Sequence, residues 1–402
     1  MPVERALALV ATHVRPVLGA ERVQLPESLG RVLAEDLRAG EDAPSSDRSR
    51  MDGYAVASSD LAGLSAGESR PLKVVGKALA GAPFPRALEA GACVEIATGA
   101  ELPMRADCVV PVEQVRGADG GERVFFERSA ERGAFVSRRA SDYRAGEVLL
   151  RAGEILTPAK IAAAAAANFA EVQVRARPRV LIVPTGDEVQ PQGAPLGEGE
   201  VRESNSHALA AFVASRGGVA ERHAIVRDTL EEVARALDQA QSFDAAVFSG
   251  GSSAGAKDFL PSALARAGKV AFHGVALRPG KPIVYGQVGT TPVLGLPGNP
   301  TSCMVGAHLF LDRILYALQG AAPPPITATR IPLASEVAEH LKGTPADFLT
   351  LVLVRIEGGM AAPLLRDSMT VTGAAFADGY FAVPPGKPPP QPGDSVAVVL
   401  LR

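Results

Sequence analysis

The feature that most constrains the fold is a series of apolar strands alternating with helices between residues 178 and 325. The pattern predicts strands at 179–183, 221–226, 245–248, 270–272, 283–285 and 293–296, and helices at 205–216, 230–239, 259–267 and 301–318. Strands and helices in this alternation predict an α/β domain, in which helices cover both faces of a parallel sheet. Ligands of such sheets bind beyond the carboxyl ends of the strands, so the loops after these strands are where a functional site is expected.

The remainder of the chain predicts further domains, because 402 residues exceed what one core usually holds. Apolar residues at helical spacing predict an amphipathic helix over 3–18. Short apolar runs separated by Gly, Pro and charged residues predict a β-rich region over 72–150, and short strands return after residue 326. The predicted fold class is therefore α/β plus β, in several domains.

Composition excludes several classes of protein. The formal net charge is -3, which gives no field for nucleic acid or an anionic membrane as a partner. The longest apolar run, 161–167, is too short to span a membrane, and the N-terminus lacks a signal-peptide pattern. The three cysteines (Cys93, Cys108 and Cys303) have no C-x-x-C spacing, so we expect buried thiols and a cytoplasmic location.

Carboxylates follow the first two strands of the α/β region. The sequence Thr185-Gly186-Asp187-Glu188 comes after the first strand, and Asp228 after the second. The simpler interpretation is a turn for the first group and a helix N-cap for Asp228, since Asp and Gly are common in both settings.

Glycine-rich loops follow two later strands and could expose backbone N–H groups to an anion. A flexible linker is the alternative for the first loop. The first supplies Ser249, Gly250, Gly251, Ser253, Gly255 and Asp258; the second supplies Pro297, Gly298, Asn299, Pro300 and Ser302.

Two cations, Arg278 and Lys281, flank a Pro-Gly turn between these loops. They suit an anionic ligand, although a solvated hairpin tip would look the same. Carboxylates beside a phosphate are suited to holding Mg²⁺, which prefers oxygen ligands. The residues alone therefore predict a Mg²⁺-assisted site for a phosphorylated ligand, and they leave that ligand unnamed.

Several motifs together resemble the molybdopterin molybdenumtransferase family, which includes the C-terminal part of gephyrin. Residues 49–55, Ser-Arg-Met-Asp-Gly-Tyr-Ala, are similar to the family's S-x-M-D-G-Y-A loop. Residues 96–113 are similar to its I-x-T-G-A…P…A-D-x-V-V…E segment, and residues 203–205 to its D-S-N. The resemblance covers most of residues 1–320 and is weak after residue 325.

The resemblance implies four domains and an elongated homodimer. The domains are a discontinuous, helical linker domain (1–40 and 144–177), a β-rich lid domain (41–143), an α/β molybdopterin-binding domain (178–325) and a C-terminal β domain (326–402). The implied reaction inserts molybdate into adenylylated molybdopterin, releasing AMP and giving molybdenum cofactor. The implied cofactor is Mg²⁺, and the molybdopterin adenylyltransferase is a further implied partner.

The resemblance also assigns roles by position. Glu188, Asp228 and Asp258 would be the acidic groups for Mg²⁺ and the reacting phosphate, with Asp187 and Thr185 in support. The loops 249–255 and 297–302 would bind pterin and phosphate. Arg278, Lys281 and Ser368 would bind molybdate. Asp52 and Thr98 would act from the lid of a second protomer, with Asp142 near the lid boundary.

This chain departs from the family pattern at a few positions. Arg278 replaces the usual lysine, Ser252-Ser253-Ala254 replaces V-S-V, Ala256-Lys257 precedes Asp258, and Ala140-Ser141-Asp142 replaces G-E-D. Two other functions therefore stay open at this point. One is molybdopterin adenylyltransferase activity, although that stand-alone enzyme lacks the lid and C-terminal domains. The other is a non-catalytic scaffold that kept the fold.

Overall fold

The computed structural model describes residues 1–17, 19–65, 67–117, 122–251, 259–364 and 369–401. The chain forms two compact units. Unit 1 comprises Met1–Glu35, Ala152–Pro158 and Glu171–Arg402; unit 2 comprises Asp36–Arg151 and Ala159–Ala170. No helix in the described part of the chain is long and apolar enough to cross a membrane. The division into four domains stays a prediction.

The strands in chain order are β1 (Ala20–Gln24), β2 (Leu37–Arg38), β3 (Arg48–Ser49), β4 (Gly53–Val56), β5 (Arg70–Ala78), β6 (Ala92–Ile96), β7 (Cys108–Pro111), β8 (Val115–Gly117), β9 (Arg123–Phe126), β10 (Val136–Ser137), β11 (Val148–Leu150), β12 (Glu171–Arg175), β13 (Arg179–Pro184), β14 (Val189–Gln190), β15 (Val201–Arg202), β16 (Val219–Arg222), β17 (Ala245–Ser249), β18 (Lys269–His273), β19 (Leu277–Arg278), β20 (Val284–Val288), β21 (Thr291–Leu296), β22 (Ala328–Pro332), β23 (Leu349–Glu357), β24 (Met360–Pro363), β25 (Gly379–Val383) and β26 (Ser395–Leu400). The helices are α1 (Val3–His13), α2 (Pro158–Ala166), α3 (Asn205–Ser215), α4 (Leu230–Ala240), α5 (Phe259–Ala267), α6 (Pro300–Gly306), α7 (Asp312–Leu318), α8 (Ala338–Leu341) and α9 (Val371–Ala375). A π-helical turn, Ala307–Leu311, joins α6 to α7.

The central sheet of unit 1 has the strand order β16-β13-β17-β21-β20-β18. Strand β13 is buried between two cores because its side chains alternate between the faces. Val180 and Ile182 pack in a core with residues of α3, α6 and α7. Leu181 and Val183 pack in a second core with residues of α4 and α5. The prediction of a sheet covered by helices on both faces is thus confirmed.

The sheet is mixed, so the prediction of a parallel sheet is confirmed for four of its six strands and wrong for the other two. Strands β16, β13, β17 and β21 run parallel to one another. Strand β20 is antiparallel to β21, and β18 is antiparallel to β20. Only residues 289–290 separate β20 from β21, and so short a connection can join only antiparallel neighbours, since a parallel crossover needs a dozen or more residues.

A second sheet in unit 1 is built mainly from the last segment of the chain, in the order β19-β23-β25-β26-β22, with β24 beside β23. Its first strand, β19, comes from the α/β segment and pairs in parallel with β23, Leu277 facing Leu349 and Arg278 facing Thr350. The pairing places Arg278 at the edge of the C-terminal sheet.

Unit 2 contains a third sheet, in the order β7-β4-β6-β5-β9-β8. Strand β4, between β7 and β6, begins at Gly53, whose position admits no side chain, because an added Cβ would lie 2.1 Å from the Val110 carbonyl oxygen. This close approach gives a physical reason for the glycine in Met51-Asp52-Gly53-Tyr54.

Candidate functional site

Three loops meet at the carboxyl ends of β13, β17 and β21. The backbone N–H of Thr185 donates to the Ser249 carbonyl oxygen at 3.0 Å, and that of Gly250 donates to the Leu296 carbonyl oxygen at 3.0 Å. An added Cβ on Gly250 would lie 2.5 Å from the Thr185 carbonyl oxygen, and the φ of Gly250 is +104°. The sequence therefore needs glycine here so that the loops can approach one another.

The acidic residues predicted after the first two strands lie on adjacent loops. The backbone N–H of Asp228 donates to Asp187 Oδ1 at 3.2 Å. The Glu188 carboxylate lies against Gly186, since a Cβ added there would be 2.9 and 3.0 Å from its two oxygens. Asp228 is not the N-cap of α4, because that position belongs to Thr229, whose side chain accepts from the Glu232 N–H. The capping interpretation of Asp228 is thus wrong.

Four residues predicted for the site lie outside the described residues: Ser253, Gly255, Asp258 and Ser368. Within the described ranges, no group of three or more His, Cys, Asp or Glu side chains is arranged to hold a metal ion. Asp187, Glu188 and Asp228 are all described and do not form such a group by themselves.

Two of the predicted anion-binding residues, Arg278 and Lys281, line one cavity of about 810 Å³. Pro297, Asn299 and Ser302, from the loop after β21, also line it. Lys281 is exposed, whereas Ser302 is 4% exposed at the start of α6. Two cations and a buried hydroxyl therefore face the same space, and this arrangement can hold an oxyanion.

The C-terminal segment supplies another wall of this oxyanion cavity, which sequence reasoning missed. The Nη1 of Arg278 donates to the Lys342 carbonyl oxygen at 2.8 Å and to the Thr344 hydroxyl. Phe348 and Thr350 also line the cavity. These contacts join residues 64 and 66 positions apart, so no local sequence signal could have found them.

A second cavity of about 610 Å³ lies beside Gly186 and Asp187. Buried Glu203 accepts hydrogen bonds from the Ser206 N–H at 2.7 Å and from its hydroxyl at 2.8 Å. The neighbouring Asn205 donates through Nδ2 to the Gly298 carbonyl oxygen at 2.8 Å. The segment that resembles D-S-N thus ties the start of α3 to the loop after β21.

In unit 2, the predicted pair Asp52 and Thr98 is in direct contact. The Thr98 backbone N–H and hydroxyl donate to Asp52 Oδ1 at 2.7 and 3.0 Å. The backbone bond, followed by the hydroxyl bond, lowers the pKa of the Asp52 carboxyl below its usual value. Asp52 is exposed, so an ionised carboxylate is presented at the surface of this unit.

The three cysteines are buried, as predicted, and none lies among the residues that line the oxyanion cavity. Burial raises the pKa of each thiol to about 12. The thiols therefore stay protonated at neutral pH and make poor nucleophiles or metal ligands.

Comparison with known families matches nearly the whole chain. Residues 1–168 match the "MoeA N-terminal region (domain I and II)", residues 181–316 a "Probable molybdopterin binding domain", and residues 337–401 the "MoeA C-terminal region (domain IV)". The fold and site thus define a multidomain protein that carries a molybdopterin-binding α/β domain.

Relatives over most of the chain agree. A molybdopterin molybdenumtransferase 2 of Mycobacterium tuberculosis is 36% identical and covers 80% of each chain. A molybdopterin molybdenumtransferase of Bacillus subtilis is 32% identical, covering 100% of this chain and 94% of the relative. A crystal structure of a molybdopterin biosynthesis MoeA protein from Pyrococcus horikoshii matches with a TM-score of 0.83 at 25% identity, over 100% of this chain and 99% of that one. The chain belongs to the MoeA family of molybdopterin molybdenumtransferases, the enzymes of molybdenum cofactor biosynthesis.

Membership of this family bears on the function predicted from the sequence. The predicted molybdopterin molybdenumtransferase function is confirmed by these relatives.

Proposed function

We propose that the chain binds adenylylated molybdopterin and molybdate, inserts the metal into the dithiolene and releases AMP. The observation that carries this proposal is that Arg278 and Lys281 line the same cavity as Asn299 and Ser302. Molybdate is a dianion, and two cations in a partly enclosed space stabilise it relative to free molybdate in water. The glycine-rich loops beside the cavity would position the phosphorylated pterin, since backbone N–H groups bind phosphate oxygens well.

Mg²⁺ is the proposed cofactor, with Glu188, Asp228 and Asp258 as the candidate residues to hold it and Asp187 in support; Asp258 lies outside the described residues. The contact between the Asp187 carboxylate and the Asp228 N–H keeps these two loops together. When bound, Mg²⁺ would offset negative charge on the phosphate that is cleaved. These acidic residues would position the adenylylated end of the substrate at the edge of the sheet and hold their loops in place.

The direct test measures AMP release from adenylylated molybdopterin by the purified chain. We expect release to require molybdate, to stop in EDTA and to return with added Mg²⁺. Lys281→Ala should reduce release strongly, whereas Lys269→Ala, an exposed lysine on β18 outside the oxyanion cavity, should not. Equal rates for the two variants would contradict the assignment of the oxyanion cavity.

The homodimer and the role of Asp52 and Thr98 from a second protomer remain predictions from the resemblance, as do the cytoplasmic location and the adenylyltransferase partner. Complementation tests the shared site. Asp52→Ala and Lys281→Ala chains should each be inactive alone, and a mixture should recover activity if one protomer completes the site of another. A mixture as inactive as its components would refute sharing.

A further inference from the structure

The oxyanion cavity is lined by two parts of unit 1 that are far apart in the sequence. The α/β segment supplies Arg278, Thr301 and Ser302, and the C-terminal segment supplies Thr350 and Leu364. The separation of these two walls therefore decides whether groups on both can contact one oxyanion. A contact that joins the walls can position the site without touching the ligand.

Thr301, in the first turn of α6, makes such a contact. Its side chain is buried, and its hydroxyl donates to the Thr370 carbonyl oxygen at 2.7 Å. Thr370 is the N-cap residue of α9 in the C-terminal segment. Because the two threonines are 69 positions apart, this hydrogen bond holds α9 against the start of α6.

Gly373, which is buried in α9, allows the close approach of the two helices. A Cβ added to Gly373 would lie 2.6 Å from Thr301 Oγ1, nearer than real Cβ atoms come to a non-bonded heavy atom. Glycine is unfavourable within a helix, so the packing of α9 on Thr301 gives a physical reason for it here. Both helices thus carry a residue that suits this contact.

The Thr301 hydroxyl lines the cavity but is unsuited to binding an oxyanion itself. A hydroxyl has one proton, and the proton of Thr301 is donated to the Thr370 carbonyl oxygen. Its oxygen can still accept hydrogen bonds, whereas an oxyanion needs groups that donate them. Thr301 is therefore better suited to positioning the cavity than to serving as a ligand.

We propose that Thr301 is a positioning residue for the oxyanion cavity and acts through Thr370 and α9. Its hydrogen bond holds the C-terminal wall where groups from both walls contact the same oxyanion. Arg278 joins the walls elsewhere, through the Lys342 carbonyl oxygen and the Thr344 hydroxyl, so Thr301 provides a second connection. That the oxyanion is molybdate rests on the proposed function.

Thr301→Val tests the proposal, because it removes the hydroxyl and nearly keeps the volume of the side chain. We expect the KM for molybdate in AMP release by the full chain to rise about two- to tenfold, the usual effect of losing one hydrogen bond. The kcat should be retained, since no reacting group is changed. Thr301→Ser keeps the hydroxyl and should have a KM close to that of the parent. Gly373→Ala, which forces α9 away from Thr301, should raise the KM as Thr301→Val does.

Thr291→Val is the matched control. Thr291 is also buried, and its hydroxyl donates to the Phe243 carbonyl oxygen at 3.1 Å. It is the first residue of β21 and does not line the cavity, which lies beyond the other end of that strand. Both Thr→Val variants should melt below the parent, but only Thr301→Val should raise the KM. Equal KM values for the two variants, or a Thr301→Val variant that loses kcat alone, would overturn the proposal.

Amide hydrogen exchange tests the contact independently of turnover. Residues 371–376 should exchange faster in Thr301→Val than in Thr291→Val, because the anchor of α9 is lost only in the first. Equal exchange in the two variants would also overturn the proposal. The proposed function fails separately, if the parent chain itself releases AMP without needing molybdate.

Discussion

Replacing Gly250 with alanine tests whether the meeting of the three loops depends on glycine geometry. The φ of Gly250 is +104°, and its new Cβ would lie 2.5 Å from the Thr185 carbonyl oxygen and 2.7 Å from the Thr185 hydroxyl oxygen. Real Cβ atoms essentially never lie within 3.0 Å of a non-bonded heavy atom. Because one contact is with backbone, relief requires movement of the loop that carries Gly186 and Asp187.

The expected cost has two parts. A side chain in left-handed backbone costs about 1–2 kcal/mol, and forcing an extra methyl group into a packed site costs about 1–3 kcal/mol. Together these predict a loss of about 2–5 kcal/mol in the free energy of unfolding. At roughly 2–4 °C per kcal/mol for a domain of this size, the melting temperature of the α/β domain should fall by at least about 4 °C.

Calorimetry of Gly250→Ala beside Gly298→Ala measures this effect. Gly298 lies in the adjoining loop, but a Cβ there would meet Gly250 Cα at an ordinary 3.5 Å, and its φ is not positive. We expect the control to melt close to the parent, and Gly250→Ala to lose both stability and AMP release. Equal melting temperatures for the two variants would refute the steric argument.

Three further predictions concern single side chains. Thr344→Val removes a hydroxyl that accepts a hydrogen bond from Arg278. The KM for molybdate should rise about three- to tenfold with kcat retained, because Arg278 keeps its charge but loses a contact that orients it. An unchanged KM would contradict this prediction. Thr98→Val removes a hydroxyl hydrogen bond that lowers the pKa of the Asp52 carboxyl, so that pKa should rise. When the pH is lowered, activity that needs the ionised carboxylate should then disappear at a higher pH than in the parent. A pH–rate profile whose acid limb does not move would contradict this prediction. The Cys303 thiol, whose pKa burial raises to about 12, should resist maleimide labelling at pH 7 until urea unfolds the chain, and rapid native labelling would show that the site is open.

The spacing of apolar residues along the sequence was sufficient to locate many helices and strands. Where it misplaced the end of an element, neighbouring residues explain the error. The buried run at 179–183 is β13, because four consecutive apolar side chains suit a strand covered on both faces. The amphipathic pattern over 3–18 overestimates α1, which ends at His13. Pro16 disfavours helical backbone at the residue before it, so apolar spacing beyond His13 did not extend the helix.

The fold brings only some of the predicted site residues together, and the reason lies in strand pairing rather than in local sequence. Asp187 and Asp228 follow adjacent parallel strands, so sheet topology alone puts them side by side. The contact of Arg278 with the segment around Thr344 depends instead on β19 leaving the α/β segment to pair with β23. A strand of two residues carries too little pattern to be predicted, and the cavity wall that depends on it was missed with it.

That short strand alters what the C-terminal segment contributes to the chemistry. Because Leu277 and Arg278 belong to the sheet formed by β22–β26, the two cations proposed to hold molybdate are attached to the C-terminal sheet as well as to the α/β sheet. Arg278 is oriented by groups of the C-terminal segment, and Lys281 follows it across a single Pro-Gly step. An α/β domain alone would keep the glycine loops and carboxylates, yet it would lose the groups that orient Arg278, the arginine proposed to bind the anion. This difference supplies a physical reason why a metal-inserting enzyme of this fold carries a C-terminal domain.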